Sequence, residues 1–95
     1  MNTLKRVMSW YAAQCNEDWE HSFGVKIDTL DNPGWSVEID LEDTGLCNKP
    51  FKEVDIQRNG EDWIYCVVRD DKFKGAGGVL SLEELLLTFL DWAQQ

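Results

Sequence analysis

The sequence predicts an α+β fold: a four-stranded antiparallel sheet with an N-terminal and a C-terminal helix packed on one face. Three observations carry this. Apolar residues recur at helical spacing near both ends of the chain, they alternate with polar ones between Phe23 and Leu41, and turn residues separate the middle segments at hairpin distances. Ninety-five residues make one domain, residues 1–95, with room for a single core.

The first helix is expected over residues 3 to about 18. Leu4, Val7, Met8, Tyr11, Ala12 and Cys15 share one face at three- and four-residue spacing, and Thr3 is the expected N-cap. Trp10 falls off that stripe, either packed on a neighbouring loop or free to anchor a partner. The period changes at His21. Phe23, Val25, Ile27 and Thr29 alternate with Ser22, Gly24, Lys26 and Asp28 as a half-buried strand, and Trp35, Val37, Ile39 and Leu41 mark a second. An odd-numbered loop must join them, because a one-residue slip would turn Asp28 onto the apolar face. A five-residue loop from Asp31 to Trp35 is expected, with Pro33 and Gly34 at the centre of a type II turn. It sets Thr29, Ile27 and Val25 opposite Val37, Ile39 and Leu41.

Asp43 to Pro50 reads as a polar connection. A third strand runs through Val54 and Ile56, and the Asn59-Gly60 hairpin signal leads to a fourth, Trp63 to Arg69. That fourth strand is apolar on both faces. An odd loop puts Ile64, Cys66 and Val68 in the core and Trp63, Tyr65 and Val67 outside, whereas a two-residue turn reverses the choice; Glu61 and Asp62 read as loop and favour the first. Asp70 to Gly78 is expected to be a loop. Its Lys74-Gly75-Ala76-Gly77-Gly78 run lacks the Gly-Lys-Ser/Thr ending of a phosphate loop. Ser81-Leu82-Glu83-Glu84 has the form of a capping box opening the last helix, whose Leu82, Leu85, Leu86, Phe89, Leu90 and Ala93 face the core.

The formal charge of −9, from 18 acidic and 9 basic residues, argues against nucleic acid and anionic membrane as partners. It suits a basic protein partner, and plain solubility equally. No apolar run reaches the roughly 18 residues of a membrane span, and no signal-peptide stretch follows the basic start, so a cytoplasmic location is expected. Cys15, Cys47 and Cys66 are too widely spaced for a CxxC motif and read as reduced, small hydrophobes. A zinc site joining them to His21 is poorly signalled, and no metal or cofactor is expected.

Catalysis finds little material. His21 beside Asp18 and Glu20 could serve as an oriented base for Cys15, but no pattern supplies an oxyanion site or a third member. The open sheet face is the stronger candidate. It displays Asp28, Glu38, Asp40, Glu53 and Asp55 with Lys26, Gln57 and Arg69, around Trp63 and Tyr65, with Trp19, Glu20 and His21 at the rim. Acidic groups around aromatic anchors suit a partner-binding patch, and suit a solvated sheet face with ordinary cross-strand pairs as well.

Several blocks carry a resemblance. Trp10-Tyr11 with Gln14-Cys15, Asp18-Trp19-Glu20-His21 with Phe23-Gly24, the run from Thr29 through Asp31-Asn32-Pro33-Gly34-Trp35, and Ile39-Asp40-Leu41 resemble the Immunity protein 53 family. Asp62-Trp63-Ile64, Phe73 to Gly78 and the Leu-rich last helix with Trp92 extend the resemblance over nearly the whole chain. It implies an immunity protein of a bacterial polymorphic toxin system, which binds the toxin domain encoded beside it and protects the producing cell. The implied partner is a cognate toxin domain, basic on the charge argument, and the implied role is binding rather than catalysis. The resemblance transfers no binding residue and leaves the oligomeric state open. The alternatives are a small cytosolic enzyme using Cys15 and His21, and an adaptor subunit of a larger assembly.

Overall fold

The computed structural model describes residues 2–95. In chain order it contains α1 (Thr3–Gln14), α2 (Trp19–Ser22), β1 (Val25–Leu30), β2 (Gly34–Asp40), β3 (Val54–Gln57), β4 (Trp63–Arg69), β5 (Lys72–Gly77) and α3 (Leu82–Ala93). All strand pairs are antiparallel, in the order β1-β2-β5-β4-β3. The α+β class and the antiparallel sheet match expectation. The sheet, however, has five strands and not four.

The additional strand is β5, in the stretch expected to be a loop. Asp70 and Asp71 have φ of 57° and 58° and close a two-residue turn between Arg69 and Lys72. Positive φ at both positions gives the backbone twist a tight hairpin needs. β5 then lies in the middle of the sheet, with Phe73, Gly75 and Gly77 buried on the face toward α3. The glycines mark a close approach. A Cβ on Gly75 would lie 3.2 Å from Leu85 Cδ2, and one on Gly77 3.3 Å from Leu85 Cδ1. Their missing side chains let α3 settle against the strand.

Between β1 and β2, Thr29 pairs with Trp35, Ile27 with Val37 and Val25 with Ile39. The loop is therefore odd and the faces are as expected, but it spans three residues, Asp31 to Pro33, instead of five. The Asn32–Pro33 peptide is cis, and Gly34 does not take the positive φ of a type II turn. Gly34 answers a different need: a Cβ there would run into the carbonyl oxygen of Gly77 on the neighbouring strand. Val54 pairs with Cys66 and Ile56 with Ile64, the register expected of an odd loop, and the loop spans five residues, 58–62. Asn59 builds that loop, its Oδ1 accepting the N–H groups of Glu61 and Asp62 at 2.8 and 3.0 Å.

α1 stops at Gln14 and does not continue to residue 18. Asn2, not Thr3, caps it, with Oδ1 accepting the N–H groups of Leu4 and Lys5. Thr3 lies inside the helix and donates its hydroxyl to Glu83. The helix is also rolled away from the expected stripe: Leu4 and Met8 are 58% and 60% exposed, while Val7 is buried and Trp10 packs on the core. α3 begins where expected, yet Ser81 makes no capping bond, and the Glu84 carboxylate goes to Arg58. Its Leu85, Leu86, Phe89, Leu90 and Trp92 are buried against Val37, Ile39, Ile64, Cys66 and Phe73 of the sheet. Among the described residues, α3 is the helix in extensive contact with the sheet, on the core face.

Candidate functional site

β5 changes the electrostatics of the outer sheet face. Lys74 stands opposite Glu38, and Lys72 lies between Asp40 and Arg69. Lys72 Nζ lies 3.3 Å from Glu38 Oε1 and 3.4 Å from Asp40 Oδ1. Hydrogen bonds to those two carboxylates raise the lysine's pKa. The centre of the face is thus mixed in charge, not acidic throughout. Asp40 is buried, and its Oδ2 accepts the Gly24 N–H at 2.9 Å, tying the entry of β1 to the end of β2. Asp28 is exposed and accepts the Thr29 N–H at 2.8 Å.

The carboxylates of the other flank lie open. Glu53 and Asp55 are exposed, and the Tyr65 hydroxyl donates to Glu53 Oε1 at 2.8 Å. That bond is the main reason the tyrosine's pKa is raised. Trp63, half-buried, stands opposite Gln57 at the end of β4.

The residues at the expected rim divide between core and surface. Trp19 is only 3% exposed; its Nε1–H donates to the Glu42 carbonyl at 2.8 Å, and its ring meets Trp10 and Tyr11. Glu20 accepts the N–H groups of Asn16 and Glu17 at 2.9 and 2.8 Å. Its pKa is lowered by hydrogen bonds from its own N–H and from those two. Glu20 therefore organises the bend between α1 and α2, while His21 is exposed at the end of α2. The Cys15 thiol donates to the Tyr11 carbonyl at 3.4 Å. Cys66 is enclosed in the core and Cys47 lies against Asp71, so the three cysteines occupy separate places. No group of three or more metal-binding side chains gathers among the described residues.

One surface feature escapes sequence reasoning. Leu80, in the connection between β5 and α3, is 93% exposed, and neighbouring Val79 is 40% exposed. A leucine directly before an N-cap ordinarily packs on the residue five positions on, here Leu85, as a hydrophobic staple. Leu80 makes no such closure and projects into solvent. The Trp35 Nε1–H donates to the Val79 carbonyl at 2.9 Å and fixes the connection. A groove of about 330 Å³ runs between Asn32, Pro33, Gly60, Glu61, Trp63 and Val79. A second, of about 250 Å³, continues past Glu61 and Val79 to Leu80 and Ser81.

The family model described as Immunity protein 53 matches residues 4–94. The chain belongs to that family. Membership makes this Immunity protein 53 chain an immunity protein, a class that implies a cognate toxin as partner. No curated protein and no solved structure gives a match. Among the described residues of this immunity protein, no helix is long and apolar enough to cross a membrane.

Proposed function

We propose that this immunity protein binds a cognate, basic toxin domain in the cytoplasm of the producing cell and neutralises it by covering its surface, without catalysis. The observation that carries the choice of surface is Leu80, 93% exposed beside Val79 and near half-buried Trp63. Exposed aliphatic side chains beside an aromatic one form an apolar patch with a charged margin, the kind of surface that marks a protein–protein contact, with Trp63 as its aromatic anchor. Glu61 lies between the anchors, and Glu53, Asp55 and Tyr65 extend the margin along the outer face. Asp28, Glu38 and Glu20 contribute to the field that steers encounter, with exposed His21 beside Glu20 at the contact margin. Trp19 and Asp40, at the far end of β2 from the Leu80 connection, serve the fold.

The test uses the toxin domain encoded beside this chain, co-expressed and purified. Leu80→Asp should weaken binding by at least about thirtyfold and abolish protection while leaving the melting temperature unchanged. Reversing Glu53 and Asp55 to Lys should slow association and flatten its salt dependence. Unchanged affinity in Leu80→Asp would reject this surface, and a wild-type chain that neither binds nor protects would reject the function. Cys15→Ser should protect as wild type does, which an enzyme built on that thiol could not.

A further inference from the structure

β1 is an open edge of the sheet. The Asp40 N–H donates to the Gly24 carbonyl, so the even-numbered residues of this strand face β2. Val25, Ile27 and Thr29 consequently direct their N–H and C=O groups away from the sheet. Natural edges are blunted by proline, bulges, inward-pointing charges or exposed charged side chains, lysine above all. Of these β1 carries only the last, with Lys26 two residues from the opposite charge of Asp28. β1 has no proline, its register runs without interruption, and both its charges lie on the outer face. On the inner face Ile27 is 41% exposed, and a groove of about 280 Å³ separates α1 from the edge between Met8, Tyr11 and Val25.

We propose that β1 pairs antiparallel with β1 of a second copy of this chain, about a twofold axis through Ile27. Hydrogen bonding and charge together select this register. The outward groups belong to odd-numbered residues, so odd must oppose odd. With Ile27 opposite Ile27, Val25 meets Thr29 of the other copy, and Lys26 meets Asp28 of the other copy twice over. Those charged pairs fall at non-hydrogen-bonded positions, where side chains approach most closely. Sliding by two residues in either direction stacks Lys26 on Lys26 or Asp28 on Asp28. The strand thus carries its own electrostatic complement in one register only, as an isologous interface requires. In the joined sheet each Ile27 covers the other, and the exposed Met8 and Tyr11 of each α1 lie beside the seam.

Sedimentation equilibrium tests this on the full chain. The wild type should show a mass twice 11.0 kDa. Lys26→Asp and Asp28→Lys should each raise the dimer dissociation constant at least about tenfold, since both symmetry-related pairs become repulsive. The double variant Lys26→Asp/Asp28→Lys should restore the dimer, because its reversed charges again oppose each other. Circular dichroism of each variant checks folding, as Lys26 also stands opposite Glu38 within the sheet. A wild type that stays monomeric at about 1 mM overturns the proposal, whether or not the edge then captures a strand of the toxin. So does a dimer indifferent to the single changes or not recovered by the double one.

Discussion

The indole of Trp10 meets the ring of Phe89 edge-on, with centroids 5.0 Å apart and planes at 88°. Trp10 also meets Trp19 at 6.1 Å, and Phe89 in turn packs on Phe73 at 5.3 Å. A chain of aromatic contacts therefore runs from α2 through α1 and α3 to the central strand. It fixes the roll of α1: with Trp10 turned inward, Leu4 and Met8 must face out.

Replacing Trp10 with Ala should accordingly cost about 3 kcal/mol, the low end for a large aromatic because the ring is half-buried. Leu4→Ser and Met8→Ser should each change stability by no more than about 0.5 kcal/mol. Urea unfolding measures all three. A Leu4→Ser loss as large as that of Trp10→Ala would mean that α1 packs through its other side.

The same roll shows what the sequence could disclose. Periodicity finds an apolar stripe on α1, but which stripe is buried depends on Trp19 and Phe89, from elements elsewhere in the chain. The strands from Val25 to Asp40 were legible because a one-residue slip would bury Asp28. β5 was not, since Gly75 and Gly77 carry a loop signal until Leu85 arrives above them. At the surface, alternation gave the face of Glu53 and Asp55 correctly. It could not give depth, so Asp40 and Trp19 are buried where exposure was expected. Leu80 was invisible because its position before the helix suggests a buried staple.

Glycine replacements separate close approach from mere loop flexibility. A Cβ on Gly78 would strike the carbonyl oxygen of Glu61, which is backbone and cannot rotate aside. Gly78→Ala should cost about 3 kcal/mol. At Gly75 the nearest atom is the methyl end of Leu85 at 3.2 Å, which can shift, so Gly75→Ala should cost about 1 kcal/mol. Chemical denaturation distinguishes them. Equal, negligible costs would show that the Lys74 to Gly78 run is not packed in the sheet.

Burial pushes the Cys66 thiol from its ordinary 9.0 up to about 12, with the nearby negative Glu84 adding to the effect. The folded protein keeps this proton where the unfolded chain gives it up. Stability is therefore unaffected below about pH 9 and falls between there and about pH 12, by up to about 1.4 kcal/mol per pH unit from this group. Cys66→Ala should remove that part of the alkaline loss. At neutral pH an alkylating reagent should modify Cys15 and Cys47, both part-exposed, and reach Cys66 only on unfolding. Rapid modification of all three thiols in the native protein would contradict the buried site.

Arg58 forks around Glu84, with Nη1 2.9 Å from Oε1 and Nη2 2.8 Å from Oε2, and Nη1 also reaches Asp62 at 3.0 Å. These bonds join the β3–β4 loop to the first turn of α3. Hydrogen bonding to the guanidinium holds the Glu84 carboxyl below its ordinary 4.5, against a smaller opposing effect of partial burial. As pH falls below 4.5 the unfolded chain takes up this proton first, so the pair's contribution is whole above 4.5 and lost through the depressed folded value. Glu84→Gln should lower the melting temperature at neutral pH, and its deficit against wild type should close in the window below 4.5. Both side chains are more than a third exposed, so about 1 M salt should shrink the neutral-pH deficit as well. A deficit constant from about pH 7 to about pH 3 would show that Glu84 supports the helix through packing, and that its charge contributes nothing.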